Sequence, residues 1–229
     1  MSNPPNNHGI LLIDKPIEKS SFFLVYLLRK ITGIQKIGHA GTLDPLATGI
    51  MVMLVGKTYT TKSDLFLNDD KEYEVVIELG KSTSTYDAEG EITAASEHIP
   101  SLKEIETAVE SFQGDCLQVP PMFCAKKQGG KKLYELARKG VEIERPPQKV
   151  FLSTHLIEYQ YPFVKLFVRC SKGTYIRSIA HDLGLQLGSF GYVKELRRVR
   201  SGSFKVSDAL SLESITDKNF IYTDHLKRL

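Results

Sequence analysis

Hydrophobic positions recur along this chain with two periods. Residues 71–79 alternate, with Tyr73, Val75, Ile77 and Leu79 on one side, Glu72, Glu74 and Glu78 on the other, and only Val76 out of pattern. A period of two predicts a strand with one buried face, and it turns Tyr73 inward. The same period returns at Val164, Leu166, Val168 and Cys170, so that residues 150–161 and 163–171 read as a hairpin. Helical spacing appears at Leu24, Leu27, Leu28 and Ile31, behind Ser20 or Ser21 as a cap and ahead of Gly33 as a stop. It recurs over residues 102–112, over 131–139 as a basic helix with Leu133, Leu136 and Ala137 inward, and over 174–187. In the last of these, Ile176, Ile179, Ala180, Leu183 and Leu187 form the core side. Apolar runs at residues 9–14 and 51–55 predict short buried strands, and residues 192–204 read as a basic strand. Residues 114–119 and 122–125 read as extended segments around a Pro120-Pro121 corner, and residues 81–90 as a polar loop carrying Asp87. From Ser207 on, one short helix and a tail are expected. Strands with interspersed helices and no regular strand–helix repeat indicate an α+β fold with a mixed or antiparallel sheet. No internal repeat or linker divides the chain, so a single domain over residues 1–229, with its core at about 9–205, is expected.

One stretch breaks both periods. Residues 38–49, Gly-His-Ala-Gly-Thr-Leu-Asp-Pro-Leu-Ala-Thr-Gly, surround a single carboxylate, Asp44, with three glycines and a proline. Glycine permits positive φ or close approach of another backbone, and Pro45 keeps Asp44 out of the helical region. The loop therefore presents Asp44, either to cap a turn or to act chemically. His39, in the same loop, reads by itself as a hydrogen-bonding residue. Gly56-Lys57-Thr58 follows an apolar strand, but a phosphate loop needs glycine five residues earlier, where the chain has Met51. Gly80-Lys81-Ser82 fails the same test at Val75.

Composition narrows the class. With 41% hydrophobic and 25% charged residues in 229, the chain is of ordinary globular make-up and can bury a sizeable core. No apolar run reaches the roughly 20 residues that span a bilayer, and residues 1–8 lack a basic region followed by an apolar stretch, so a cytoplasmic protein with no membrane contact is expected. Cys116, Cys124 and Cys170 are odd in number and widely spaced, as expected of small buried apolar residues, not of a disulfide framework. Six histidines without ligand-like spacing give no metal site.

Charge is unevenly distributed. Residues 64–110 hold thirteen acidic and three basic side chains, residues 126–149 three and eight, and residues 165–205 two and nine. Aromatics and glycines lie among the basic residues of the second half, notably Tyr134, Tyr175 and Tyr192 with Gly129, Gly130, Gly173 and Gly191. That mixture suits a polyanion partner, against the alternative of a solvated lysine-rich surface. Arg177 lies at the start of its helix, where the dipole favours anions, and taken alone it reads as solvated.

Taken together the motifs are recognisable. The loop at residues 38–49 resembles the signature of the TruB family of tRNA pseudouridine synthases. The resemblance continues through Asp14-Lys15-Pro16, Lys71-Glu72-Tyr73, Asp87-Ala88-Glu89-Gly90, Gln118-Val119-Pro120-Pro121-Met122 and Gly130-Lys131-Lys132-Leu133-Tyr134. It closes with the run from Cys170 to Arg177 and with Leu196-Arg197-Arg198. It implies isomerisation of uridine to pseudouridine in the tRNA T loop, at position 55, by a mixed, mainly antiparallel fold around a catalytic cleft. Asp44 matches the catalytic aspartate, Tyr73 the tyrosine that stacks on the target base, and Arg177 the arginine that pairs with the aspartate. Leu196 matches a pocket leucine, His39 the histidine that helps displace the uridine, and Asp87 and Tyr175 neighbouring active-site or RNA-contacting positions. Lys131 and Lys132, in the basic segment, are candidate RNA contacts. The reaction needs no redox step or group donor, so a cofactor-free site suffices, and a monomer acting on the T-arm stem-loop without a protein partner is expected.

Two departures from the family pattern stand out. The first motif usually has glycine two residues after the proline, where this chain has Glu18, although Ser21 is retained. Only 25 residues follow Phe204, too few for the C-terminal RNA-binding domain of PUA type found in many bacterial members. A guide-RNA-dependent relative and an RNA-folding helper are the competing readings.

Overall fold

The computed structural model describes residues 7–228, so the reading of residues 1–8 as free of a leader lies, up to residue 6, outside it. The chain forms two compact units, Met1–Tyr73 with Leu196–Leu229, and Glu74–Glu195.

In the first unit, strand β1 (Gly9–Lys15) leads into helix α1 (Ser21–Thr32). Ser20 caps α1 by accepting from the Phe23 N–H, and Gly33 ends it at φ 71°, as its spacing predicts. Strands β2 (Ile37–His39) and β3 (Thr48–Val55) follow, and β3 pairs antiparallel with both β1 and β2. The run from Gly49 to Val55 is wholly buried, which is why it reads as continuous apolar sequence without alternation. Ile10, Leu12, Ile50, Val52 and Leu54 form a core with Tyr59 of α2 (Lys57–Thr60) and Phe66 of α3 (Ser63–Leu67). Gly56 precedes α2 at φ 91°, a helix start built on backbone geometry.

The chain passes into the second unit along β4 (Lys71–Leu79), whose burial alternates at every residue, with Tyr73 on the buried side. The polar segment after it is not all loop. β5 (Lys81–Thr83) pairs with β6 (Ile92–Ala95), and Asp87 lies on the connection. Helix α4 (Leu102–Glu110) opens with a capping box of Ser101 and Glu104. β7 (Gln113–Gln118) is as expected, but residues 122–125 are bends, not an extended segment. The predicted basic helix over 131–139 is also shorter. β8 (Lys127–Gln128) and β9 (Lys131–Lys132) make a small hairpin, and only α5 (Leu133–Ala137) is helical. Gly129 and Gly130, at φ 58° and 81°, supply the two successive left-handed residues of a tight hairpin turn, and this overrides the helical spacing that follows. β10 (Gln148–Gln160) and β11 (Phe163–Cys170) form the long hairpin, with β7 on the other edge of β10, all antiparallel. α6 (Ile176–Gln186) buries Ile176, Ile179, Ala180 and Leu183 as its spacing predicts.

β12 (Gly191–Ser201) returns the chain to the first unit, where Arg197 and Arg198 pair parallel with Thr48 and Gly49 of β3 and make the sheet mixed. β13 (Phe204–Lys205) folds back on β12. After it, α7 (Leu212–Thr216) is the expected short helix, but the remainder is no loose tail. Leu210 and Lys227 exchange main-chain hydrogen bonds with β1: Asp14 N to Leu210 O (2.8 Å), Leu210 N to Leu12 O (3.0 Å) and Lys227 N to Ile10 O (2.8 Å). They cover an edge that would otherwise expose unpaired backbone groups. The fold is α+β, with mainly antiparallel pairing.

Candidate active site

Asp44 sits on the connection between β2 and β3. Apolar anchors flank it: Leu43, Leu46 and Ala47 are buried while Asp44 itself is partly exposed. The anchors are fixed by polar groups. Ser21 Oγ donates to Leu43 O and accepts from Leu43 N, both at 2.9 Å, which ties the start of α1 to the residue before Asp44. The Glu18 N–H donates to Pro45 O at 2.9 Å. Lys15, wholly buried, donates to Pro16 O, Lys19 O and Pro45 O at 2.9, 2.7 and 3.2 Å. A buried ammonium spent on carbonyls holds the turn after β1 against the residue after Asp44. Arg198, also buried, donates from Nε to Ile50 O (2.8 Å) and from Nη2 to Gly41 O (3.2 Å). The loop glycines divide the work. Gly41 takes φ 98°, and at Gly49 (φ 108°) a Cβ would lie 2.2 Å from Arg198 O and 2.6 Å from its N. Gly38 needs neither freedom and is ordinary strand.

His39 ends β2 opposite Met53. Burial first, and the Arg198 cation second, push its pKa below the usual histidine value, so the ring is neutral near pH 7. Among the described residues its buried Nδ1 has no hydrogen-bond partner. Tyr73 lies on the buried face of β4, and Leu196 is buried on β12, its carbonyl accepting from Thr48 Oγ1 at 3.5 Å.

In the second unit Arg177 is not solvated. It is 5% exposed and Asp87 2%, with Nη1 3.4 Å from Asp87 Oδ2. Nη1 also donates to Thr85 O (3.0 Å) and Nη2 to Phe123 O (2.8 Å). Asp87 in turn accepts from Thr85 Oγ1 (2.5 Å) and from Glu89 N (3.0 Å) through Oδ1. A buried charge beside the positive end of a helix is compensated here by a carboxylate and two carbonyls. Tyr175 caps the same helix: its N–H donates to Gln118 Oε1 at 2.7 Å, and its carbonyl accepts from Gln118 Nε2 at 3.1 Å. Ser178 Oγ donates to Val119 O at 2.7 Å, so Gln118-Val119 clamps the first turn of α6. Gln118 and Val119 carry no sign of this role in the sequence beyond their place in the Gln118–Met122 motif.

Comparison with known proteins decides the family. The model for the N-terminal domain of TruB family pseudouridylate synthases matches residues 29–176, and the model for the C-terminal domain of tRNA pseudouridylate synthase B matches residues 177–229. The chain belongs to the TruB family. It is 50% identical over 219 residues to tRNA pseudouridine synthase B of Chlamydia pneumoniae, covering 96% of this chain and 93% of that one. To the protein of the same name from Protochlamydia amoebophila (strain UWE25) it is 52% identical, covering 98% and 88%. A chain in the crystal structure of a Cbf5-Nop10-Gar1 complex superposes with a TM-score of 0.74 at 25% identity; the match covers 97% of this chain but only 58% of that one. The fold is that of the pseudouridine synthases, and the family places the chain among the isomerases.

Within this TruB-family chain the predicted site residues fall into three groups. His39, Asp44, Tyr73 and Leu196 belong to the first unit; Asp87, Tyr175 and Arg177 gather at the start of α6 in the second. Lys131 and Lys132 stand apart on the small hairpin. Lys131 is exposed, and Lys132 donates to Tyr134 OH at 3.3 Å with its Nζ 5.4 Å from the Tyr134 ring centre. The charge reading needs a correction as well. Several basic residues of 165–205 face acidic partners: Arg197–Asp14 (2.6 Å), Arg200–Glu72 (3.0 Å), Lys194–Glu78 (3.0 Å) and Arg177–Asp87. Because the acidic stretch supplies Glu72, Glu78 and Asp87, that segment offers a polyanion less charge than its count suggests. Cys124 and Cys170 are buried as expected, whereas Cys116 is half-buried, and all three are free thiols.

Proposed function

We propose that the chain is a cytoplasmic tRNA pseudouridine synthase. It converts the T-loop uridine at position 55 to pseudouridine, as a monomer, without cofactor or guide RNA, and residues 1–229 act as one catalytic domain. The observation that carries this reading is the loop at residues 38–49: it is the family signature, it contains one carboxylate, and buried Lys15 and Arg198 spend their charges on holding its backbone. The relatives named above as tRNA pseudouridine synthase B support tRNA as the substrate.

The reaction breaks the bond from C1′ to N1 of uracil, turns the base, and joins C1′ to C5; the proton on C5 leaves and N1 gains one. Asp44 is the catalyst, and a carboxylate has two routes here: attack at C1′, or proton abstraction in a glycal-forming elimination. Tyr73 offers a ring on which the detached uracil stacks. Arg177 is the catalytic cation, with Asp87 orienting its guanidinium; Leu196 lines the base pocket, and Tyr175 contacts the RNA. The target atoms are inaccessible in a stacked loop, so the uridine is flipped out, and neutral His39 assists that displacement. Lys131 and Lys132 contact phosphates.

The test is incubation of the purified protein with an unmodified tRNA transcript and with an isolated T-arm stem-loop, followed by chemical mapping of pseudouridine. Product at the T-loop uridine in both is expected. Folded protein that yields none without an added guide RNA contradicts the proposal.

A further inference from the structure

Helix α1 buries Leu24, Val25 and Leu28 and turns its other face to solvent. On that face Phe22 is 64% and Tyr26 51% exposed, with Ile17 also exposed just ahead of the helix. Spacings of four and three residues put Phe22, Tyr26 and Arg29 on one stripe. Cations stand over the rings of this helix: Arg29 Cζ is 6.0 Å from the centre of Phe22, Lys30 Nζ 4.6 Å from Tyr26, and Lys19 Nζ 5.4 Å from Phe23. Residues 19–36 contain no Asp or Glu, so no carboxylate of this segment offsets Lys19, Arg29, Lys30 and Lys36. In this respect α1 differs from the basic stretch of β12, whose arginines face carboxylates. The stripe also has a fixed origin, because Ser21 is bonded to Leu43 and the Glu18 N–H to Pro45, on either side of Asp44.

We propose that the outward face of α1 is a second RNA-contact surface, on which unstacked bases of the bound RNA lie against Phe22 and Tyr26 while Lys19, Arg29 and Lys30 take the neighbouring phosphates. Exposed rings bordered by cations, here in a segment without a carboxylate of its own, are the combination that binds single-stranded nucleic acid without reading its sequence. An apolar protein partner would cover the rings but would have to accommodate the cations; a polyanion uses both. The proposal rests on the reading of RNA as the substrate.

The test compares wild type with the double variant Phe22→Ala, Tyr26→Ala, using an unmodified tRNA transcript. Kd and KM are expected to rise about thirtyfold or more, the lower end for losing two stacked bases, with kcat at saturating tRNA unchanged. The variant Arg29→Ala, Lys30→Ala should reduce the slope of log K against log salt by about 1.4, for two phosphate contacts to a single strand. Transcript carrying 4-thiouridine should cross-link to the peptide containing Tyr26. Wild type that binds and converts the transcript, beside ring and charge variants with unchanged Kd and salt slope, overturns this inference alone. Wild type that binds no RNA overturns the substrate reading with it. Self-association of wild type that the ring variant abolishes, at unchanged RNA affinity, assigns the face to a protein and likewise overturns the inference.

Discussion

The Asp44 loop and the Arg177 cage each fix a charged side chain, and they do so with different materials. In the loop the fixing is done by main chain: Gly41 and Gly49 at positive φ, and carbonyls gathered by buried Lys15 and Arg198, with Asp44 left partly exposed. In the cage the fixing is done by the charges themselves, both buried, each needing the other and its nearby hydrogen bonds. Asp44 can therefore be altered with its framework in place, whereas a change at Asp87 alters folding and site together.

Four changes sharpen or break that contrast. The largest effect is expected for Asp87→Ala, which removes the carboxylate facing the buried Arg177 guanidinium and should cost about 3–5 kcal/mol in denaturant unfolding; a loss below about 1 kcal/mol would show that the other partners of Arg177, the Thr85 and Phe123 carbonyls among them, suffice. Gly49→Ala tests the loop, since its Cβ would meet the Arg198 backbone at 2.2 Å; a cost of about 3 kcal/mol or failure to fold is expected. A stable Gly49→Ala protein would mean that β3 and β12 can separate there.

Asp182 lies in the second unit on α6, where burial raises its carboxyl pKa to about 6. The folded value exceeds the unfolded value near 3.8, so the charged form is disfavoured by folding, and the penalty is complete above about pH 6 and gone below about pH 4. Asp182→Asn should stabilise by about 1 kcal/mol at pH 8, a figure reduced for partial exposure, and by nothing at pH 3.5. Thermal melts across that range check it, and a gain independent of pH would contradict the burial account. Smallest is Glu18→Gly. Glu18 takes φ 65°, a conformation costing an L-residue about 1–2 kcal/mol, against about 0.5–1 kcal/mol for the freedom of unfolded glycine. A net gain of about 0.5 kcal/mol is expected by chemical denaturation; a loss would mean that the Glu18 side chain makes a compensating contact.

The same contrast explains what was legible in the sequence. The Asp44 loop is written in adjacent residues, because glycine and proline state the backbone geometry directly, and the inward turn of Tyr73 follows from a period of two. The cage was not legible: Arg177 finds Thr85 and Phe123 at separations of 92 and 54 residues, and it bonds their carbonyls, which leave no mark in the sequence. Lys15 and Arg198 are hidden for the same reason, since a cation bonded to carbonyls looks like any surface lysine or arginine. The strand pairing of Leu210 and Lys227 with β1 is main-chain bonding too. The helical spacing of Leu133, Leu136 and Ala137 extends a helix back to Lys131 and Lys132; the Gly129-Gly130 turn, a local signal of equal strength, decides otherwise. The family pattern shows at Glu18 what geometry demands, because the position where glycine is usual is one with positive φ.

Asp44 is proposed to perform the chemistry, and the loop at residues 38–49 only to hold it. Single-turnover conversion of an unmodified tRNA transcript, measured with wild type and Asp44→Asn alongside tRNA affinity and thermal stability, tests this most directly. Loss of pseudouridine formation by at least about 10³-fold, a barrier increase of about 4 kcal/mol, with affinity and melting temperature near those of wild type, is the expected result. Conversion by Asp44→Asn within tenfold of wild type would contradict it.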